Sequence, residues 1–125
     1  MSIYYEDDSV TLHLGKCEDI LPTLGRFQCA IVDPPYGETS LAWDRWIPEL
    51  PHLVSKRTDS MWCFGSLRMF LDRVHDFDDW KMSQDVVWEK HNGSGFHADR
   101  FKRIHEAAVH WYRGHWADVY HKPPT

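Results

Sequence analysis

The sequence predicts an α/β protein with a mainly parallel sheet, on the strength of two observations. Short apolar runs at 28–32 and 60–64 have the length and composition of strands that are buried on both faces. Segments with helical spacing alternate with strand-like segments, and this alternation is typical of a parallel sheet with crossover helices. The 125 residues suit one domain with one core.

The other elements follow from local patterns. Residues 10–14 alternate between apolar and polar and predict a strand, whereas residues 17–24 predict a short helix. Further along the chain we predict helices at 46–54 and 67–74 and strands at 84–88 and 107–112. The polar stretch 91–103 contains Asn92-Gly93-Ser94-Gly95 and predicts a mobile loop.

The composition indicates a globular protein of the cytoplasm. No apolar run approaches the length needed to span a bilayer, and residues 1–8 are acidic, which argues against a secretory signal. The three cysteines, Cys17, Cys29 and Cys63, are odd in number and far apart in the sequence. We therefore expect reduced thiols and not a disulfide framework.

The charge is unevenly distributed. The formal net charge is −5, whereas a protein that binds nucleic acid is usually basic. Residues 1–80 carry a net −7, but residues 81–115 carry +2 together with five histidines. Any contact with nucleic acid should concentrate in that second segment, although a mild positive charge is equally typical of an ordinary solvated surface.

The run Asp33-Pro34-Pro35-Tyr36-Gly37 comes directly after the apolar strand at 28–32. In an open α/β sheet, ligands bind beyond the carboxyl ends of the strands. Each proline fixes its own φ and lacks an N–H, and Pro35 also favours an extended Pro34. The motif therefore predicts a stiff turn that presents a carboxylate, a backbone carbonyl and an aromatic ring.

These groups suit the chemistry of an aromatic amine. Such an amine is a poor nucleophile because its lone pair is delocalised into the ring. Two acceptors that bind its two N–H groups favour a pyramidal nitrogen, whose lone pair then points at an incoming electrophile. A stacking aromatic ring holds a base that has left the duplex. The alternative is a rigid turn that has no chemistry.

The motif resembles the catalytic motif of the DNA amino-methyltransferases. Aspartate in its first position is typical of the adenine-N6 branch, whereas the cytosine-N4 branch more often has serine. The resemblance covers nearly the whole chain, through further matches at 13–17, 20–24, 43–44, 62–65, 87–90 and 105–106. It implies a Rossmann-like methyltransferase fold, S-adenosylmethionine as cofactor, double-stranded DNA as partner, and a role in restriction-modification or DNA methylation more generally.

The resemblance also implies roles for individual residues. Asp33 and the Pro34 carbonyl would hold the target amine, Pro35 would shape the turn, and Tyr36 would stack on the flipped base. Residues 37–46 would form a loop that closes over the target. The cofactor-binding candidates are Lys16, Cys17 and Asp33. The DNA-binding candidates are Trp43, Lys90, His91, Arg100, Lys102 and Arg103.

One family feature is missing from the sequence. In the branch with this motif order, a glycine-rich loop that holds the cofactor follows the segments seen here, and 93–95 is a poor substitute because no apolar strand precedes it. We therefore expect an incomplete fold, about half of the family's, in which residues 1–125 are the catalytic portion. Half a sheet leaves an open edge, so we expect a homodimer or a second polypeptide to complete it.

The sequence argues against a zinc protease and leaves three other functions open. His105 and His110 resemble a zinc-protease motif, but at i and i+5 they diverge by roughly 140° on an ideal helix, so we reject that motif and expect no metal. A non-catalytic subunit that binds DNA or protein, cytosine-N4 methylation, and methylation of RNA or a protein side chain remain alternatives. Cofactor binding separates an enzyme from a binding module.

Overall fold

The structure, a computed structural model, describes residues 2–94 and 99–124. Within these residues the chain forms six strands and four short helices. In order, they are β1 (Ser2–Glu6), β2 (Thr11–Leu14), α1 (Cys17–Ile20), β3 (Ala30–Val32), α2 (Leu50–Ser55), β4 (Ser60–Gly65), α3 (Leu67–Asp72), β5 (Lys81–Ser94), β6 (Arg103–Tyr112) and α4 (Trp116–Val119). Two 3₁₀ turns, Leu21–Thr23 and Val74–Phe77, follow α1 and α3.

The main sheet has the strand order β3-β4-β6-β5 in the described part of the chain. Strand β3 is parallel to β4, and β6 is antiparallel to both of its neighbours. Strands β3, β4 and β5 therefore run in one direction, and β6 alone is reversed because it follows β5 in the chain and pairs with it directly. The predicted α/β class is confirmed.

Strands β1 and β2 form a separate antiparallel pair. The Asp7 carboxylate caps the turn between them, since its Oδ1 accepts hydrogen bonds of 2.8 Å from the backbone N–H groups of Ser9 and Val10. The sequence indicated β2 but not β1. The acidic residues at 6–8, which argued against a signal sequence, belong to the end of β1 and its turn.

Several predicted elements differ in their limits or burial, and the helix predicted at 17–24 ends at Ile20, where a 3₁₀ turn follows. Strand β3 has only three residues and is not buried on both faces, because Ile31 is 75% exposed. Helix α2 begins at residue 50 and not at 46, since Pro51 occupies the first turn, where its missing N–H costs no hydrogen bond. The loop predicted at 91–103 is shorter, because β5 continues to Ser94 and β6 begins at Arg103.

The predicted loop at 91–103 is too long because polar residues at the end of β5 take part in the sheet. Glu89 pairs with His105 across the β5–β6 ladder, and both side chains are exposed. An antiparallel hairpin satisfies its backbone groups through the ladder, so its side chains can face water. Residues 95–98 of the predicted loop lie outside the described residues.

The hydrophobic core lies between one face of the sheet and helices α2 and α3. Its members come from α2, β4, α3, the following 3₁₀ turn and β6, and include Val54, Met61, Met69, Phe77 and Trp111. The Phe77 ring stacks on Trp111 with centroids 4.5 Å apart. Each such side chain contributes about 1.5–3 kcal/mol when it is fully buried. This packing fixes β4 and β6, which flank the site described below.

His110 is buried on the opposite face of the sheet, with 5% of its surface exposed. Its Nε2 lies 2.9 Å from the Ser60 hydroxyl, and its Nδ1 lies 2.6 Å from the Ser83 hydroxyl. The Trp62 ring packs against the imidazole with centroids 4.8 Å apart. Burial lowers the pKa of His110, so the neutral ring is favoured in the folded state.

The stability of the fold should depend on pH through His110. Because its folded pKa is lowered, the unfolded chain binds more protons below the unfolded pKa of about 6.5, and the free energy of unfolding falls as the pH drops from there through the folded pKa. We expect His110→Gln to remove part of this slope in urea unfolding between about pH 7 and 5. His75→Gln is the control, because the His75 side chain is 93% exposed. Equal slopes in both variants would contradict the prediction.

No helix in the residues that the structure describes is long and apolar enough to cross a membrane.

Candidate active site

The Asp33–Tyr36 turn lies at the carboxyl end of β3, as the sequence predicts. Pro34 is buried, Pro35 and Tyr36 are half-buried, and Asp33 is exposed. Burial of Pro34 holds the stiff backbone against the protein. The carboxylate of Asp33 is therefore presented outward at the end of the sheet, where ligands of α/β proteins bind.

A cavity of about 430 Å³ opens beside this turn. Its walls are mostly apolar and come from α1 and the 3₁₀ turn after it, β3, the motif, α2 and the adjoining loops: Cys17, Leu21, Phe27, Ala30, Ile31, Val32, Asp33, Pro34, Pro35, Ile47, Leu50 and Val54. The structure thus brings together Cys17 and Asp33, two of the three cofactor-binding candidates. Lys16 is exposed at the start of α1 and is not among the lining residues.

Cys17 is uncharged in this cavity at neutral pH. Burial, together with a hydrogen bond to the neighbouring Glu18, raises the pKa of its thiol to about 11. A neutral thiol beside apolar side chains provides a surface suited to an aromatic ring. No group of His, Cys, Asp or Glu in the part of the chain described could hold a metal ion.

The Tyr36 ring is held at its hydroxyl end. The hydroxyl donates a hydrogen bond of 3.1 Å to Oε2 of Glu106 on β6. Burial raises the pKa of the Tyr36 phenol well above its usual value, and the negative charges of Glu106 and Asp33 raise it further. The phenol therefore stays protonated and remains a donor at neutral pH.

The second oxygen of Glu106 binds Lys90. The Lys90 ammonium donates to Oε1 at 2.8 Å and lies 5.2 Å from the centroid of the Trp88 ring. Trp88 in turn packs edge-on against Phe64 with centroids 5.6 Å apart. The sequence predicts Lys90 as a DNA contact and predicts no role for Glu106, although Glu106 belongs to a segment that resembles the family pattern. Nothing in the sequence indicated that residues 36 and 106 would meet.

The other predicted DNA-binding residues differ in their surroundings. Arg103 binds Oε2 of Glu38 at 3.2 Å, and Arg100 binds the neighbouring Asp99 at 3.1 Å. Three further candidates are exposed: Trp43, His91 and Lys102. The positive charge near the turn is therefore partly compensated by nearby carboxylates.

The segment that follows the motif is held by Asp44. This buried carboxylate accepts hydrogen bonds from the Gly37 N–H at 2.9 Å, the Thr39 N–H at 2.8 Å and the Thr39 hydroxyl at 2.6 Å. These bonds, the Thr39 hydroxyl first, lower the pKa of Asp44. Gly37 has φ +75°, a conformation that favours glycine. Trp43 is 71% exposed in the same segment, next to this internal anchor.

Glu38 joins the same segment to two other elements. Its Oε1 accepts a hydrogen bond from the hydroxyl of Ser66, which also caps α3 by accepting from the Met69 N–H at 3.0 Å. Its Oε2 accepts from Arg103 at the start of β6. The ends of β3, β4 and β6 are therefore connected around the motif by polar side chains.

The glycine-rich loop expected of the family is not found among the described residues. Gly93 and Ser94, the nearest sequence match, belong to strand β5. Gly95 lies outside the described residues. The site therefore consists of the Asp33–Tyr36 turn and an apolar cavity. The part of the chain that the structure describes contains no glycine-rich loop beside them.

Comparison with known proteins establishes the fold. No protein-family model matches the sequence, and no curated protein matches it. The structure of the DNA methyltransferase M1.HpyAVI in complex with SAM is similar, with a TM-score of 0.59 and 17% identity over 86% of this chain and 55% of that chain. A second structure of M1.HpyAVI has a TM-score of 0.50 and 16% identity over 77% of this chain and 49% of that chain.

A third similar structure is TTHA0409 from Thermus thermophilus, a proposed DNA modification methylase. Its TM-score is 0.57, with 14% identity over 88% of this chain and 54% of that chain. The chain thus spans about half the length of the structures that it resembles. At these identities the likeness shows the fold, and the predicted methyltransferase-type α/β fold is confirmed.

Asp44 should be important for the stability of the turn. Asp44→Ala removes three hydrogen bonds and leaves the Gly37 and Thr39 N–H groups without their acceptor, so we expect a loss of about 2 kcal/mol in the free energy of unfolding. Asp78→Ala is the matched control, since that side chain is 77% exposed, and it should stay within about 0.5 kcal/mol of wild type. Urea unfolding compares the two. Equal stabilities would show that Asp44 does not hold the segment.

Proposed function

We propose that this chain carries the catalytic part of an S-adenosylmethionine-dependent methyltransferase that acts on the exocyclic N6 amine of a flipped-out adenine in DNA. The observation that carries the proposal is the outward-facing Asp33 carboxylate at the end of β3, directly beside an apolar cavity. The fold, which is that of methyltransferase structures, supports it.

The target amine is held by Asp33 and the Pro34 carbonyl. Each accepts one N–H, which favours a pyramidal nitrogen and directs its lone pair at the methyl group. Tyr36 stacks on the flipped base, and its fixed hydroxyl limits where the ring can lie. Aspartate in the first position of the motif favours adenine over cytosine, by resemblance to the adenine branch.

The cavity fits an adenosine moiety. Its apolar walls offer surface to a flat ring, the neutral Cys17 thiol avoids an unfavourable charge, and the carboxylate of Asp33 at its edge favours a cationic group. S-adenosylmethionine, which is bound in one of the similar structures, supplies a methyl group on a sulfonium when it is present. The cavity residues, with Lys16 nearby, would hold its adenosine part.

The glycine-rich loop must then come from a complementary segment. Strand β3 pairs with β4 alone among the described strands, and Ile31 on it is largely exposed. We propose that a segment containing this loop, either outside residues 1–125 or on a second polypeptide, pairs along this edge and completes the cofactor site, whereas a second copy of the same residues would cover the edge without adding the loop. The reduced cysteines fit such an enzyme in the cytoplasm.

DNA would approach from the side of the motif. Trp43, His91 and Lys102 are exposed and could contact the duplex without rearrangement. Lys90 and Arg103 would have to give up Glu106 and Glu38 to bind phosphates, so we assign them a weaker share of the affinity. Arg100 is exposed beside Asp99 and could bind a phosphate with less rearrangement.

Asp33→Ala tests the proposal. The assay follows tritiated methyl transfer to adenine in DNA by the chain together with the segment or polypeptide that supplies the glycine-rich loop. Loss of one acceptor of the reacting amine should lower the rate by at least about 10²-fold and leave the fold intact by circular dichroism. Asp78→Ala, which is exposed and distant from the motif in sequence, is the control. Wild-type-like transfer by Asp33→Ala would contradict the assignment of Asp33 to the reacting amine.

Tyr36→Ala tests the stacking role. Removing the ring should weaken the hold on the flipped base by about 1–3 kcal/mol, which is the value of one base–aromatic stack. Fluorescence of 2-aminopurine at the target position reports how much of the base is extrahelical. An unchanged fluorescence increase together with an unchanged methylation rate would refute this role.

A further inference from the structure

Glu106 connects two parts of the site that lie far apart in the sequence. One carboxylate oxygen accepts the Tyr36 hydroxyl at 3.1 Å, and the other accepts the Lys90 ammonium at 2.8 Å. The Glu106 side chain is 17% exposed and that of Lys90 is 38% exposed, so the pair is more sheltered than an ordinary surface ion pair. Both acceptor oxygens of Glu106 are thus used near the motif.

The position of Glu106 in the sheet makes it a rigid support. It lies on β6 opposite Trp88 of β5, and the next residue, Ala107, pairs with Gly65 of β4. A side chain on a paired strand is placed more precisely than one on a loop. Tyr36, by contrast, follows two prolines that fix the backbone but not the side-chain torsions of the tyrosine.

Lys90 provides the counter-charge for the half-buried Glu106 carboxylate. The ammonium compensates the negative charge, which would otherwise be costly to shelter from water. The Lys90 Nζ lies 5.2 Å from the centroid of the Trp88 ring, which favours its position. The Trp88 ring in turn packs edge-on against the Phe64 ring. The chain of contacts therefore runs from the body of the sheet through Lys90 and Glu106 to the Tyr36 hydroxyl.

We propose that Glu106 is a positioning residue that fixes the Tyr36 ring in the orientation needed to stack on the target base, with Lys90 as its counter-ion. This inference rests on the function proposed above. If Glu106 had a purely structural role, replacing it would lower only the stability of the fold. The proposed role predicts that replacing it also lowers the rate of the catalytic step.

Four single variants and one double variant separate these roles. Tyr36→Phe removes only the hydroxyl and keeps the stacking ring, whereas Glu106→Ala removes the acceptor. Glu106→Gln keeps the shape, since its carbonyl oxygen can accept from Lys90 while its amide donates to the Tyr36 oxygen. Asp85→Ala, an exposed acid on β5, is the matched control. The Tyr36→Phe/Glu106→Ala double variant completes the cycle.

The expected kinetic result is a fall in kcat with little change in the KM for S-adenosylmethionine. Tyr36→Phe and Glu106→Ala should each lower kcat on the order of 10- to 100-fold, the effect of a misplaced positioning group. The double variant should be no slower than the slower single variant, Glu106→Gln should stay closest to wild type, and Asp85→Ala should be unchanged. Single variants that lose stability but keep kcat would overturn the proposal.

A second readout does not depend on activity. Urea unfolding of the same variants of the chain should show non-additive losses for Tyr36→Phe and Glu106→Ala, because both remove the same hydrogen bond. Additive losses would overturn the inference even if the enzyme is active. A further outcome is that the stability losses are non-additive but the wild-type protein transfers no methyl group. That outcome would overturn the proposed function, and with it the catalytic role of this contact.

Discussion

The burial of Pro34 at the end of β3 is the constraint on which the rest of the site depends. Because this proline is packed against the protein and its neighbour Pro35 removes backbone freedom, Asp33 is left facing outward beside the apolar cavity. The same backbone sets where Tyr36 leaves the turn. Strand β4, held by Met61 and Cys63 in the core, gives β3 its only pairing partner among the described strands. The packing of the core therefore helps to determine where the Asp33 carboxylate lies.

Acidic side chains organise the surroundings of the motif. Asp44 accepts hydrogen bonds from N–H groups of the segment that follows the motif. Glu38 connects that segment to α3 and β6, and Glu106 connects Tyr36 to the β5–β6 hairpin. Some of the acidic residues behind the net negative charge of the protein therefore lie near the site, where their carboxylates accept hydrogen bonds from the backbone and from side chains. The same pairings compensate cations that would otherwise attract phosphates, so the proposed binding of DNA would involve exchange of some of these partners.

Much of the fold could be predicted from the sequence, because apolar runs and turn residues are local signals. Strands β2, β4 and β6 and helix α3 followed from such patterns. The length of β5 did not, because polar residues such as Glu89 lie in a ladder whose stability comes from backbone pairing. The motif located the turn, but the contact between Tyr36 and Glu106 depends on sheet order, and no local pattern encodes it. The exposure of Ile31 could not be predicted either, since an apolar strand has the same pattern whether one face or both are covered.

The most direct test of the proposed site is an NMR titration of the chain with S-adenosylhomocysteine, the demethylated form of the cofactor. We predict concentration-dependent shifts in the backbone amides of Cys17, Ala30 and Asp33, which border the cavity, and none at His110 on the opposite face of the sheet. Binding should be weak without the glycine-rich segment, but its location should be clear. Shifts confined to the surroundings of His110, or no shifts at millimolar ligand, would contradict the claim that the Asp33 turn and its cavity form a cofactor and methyl-transfer site.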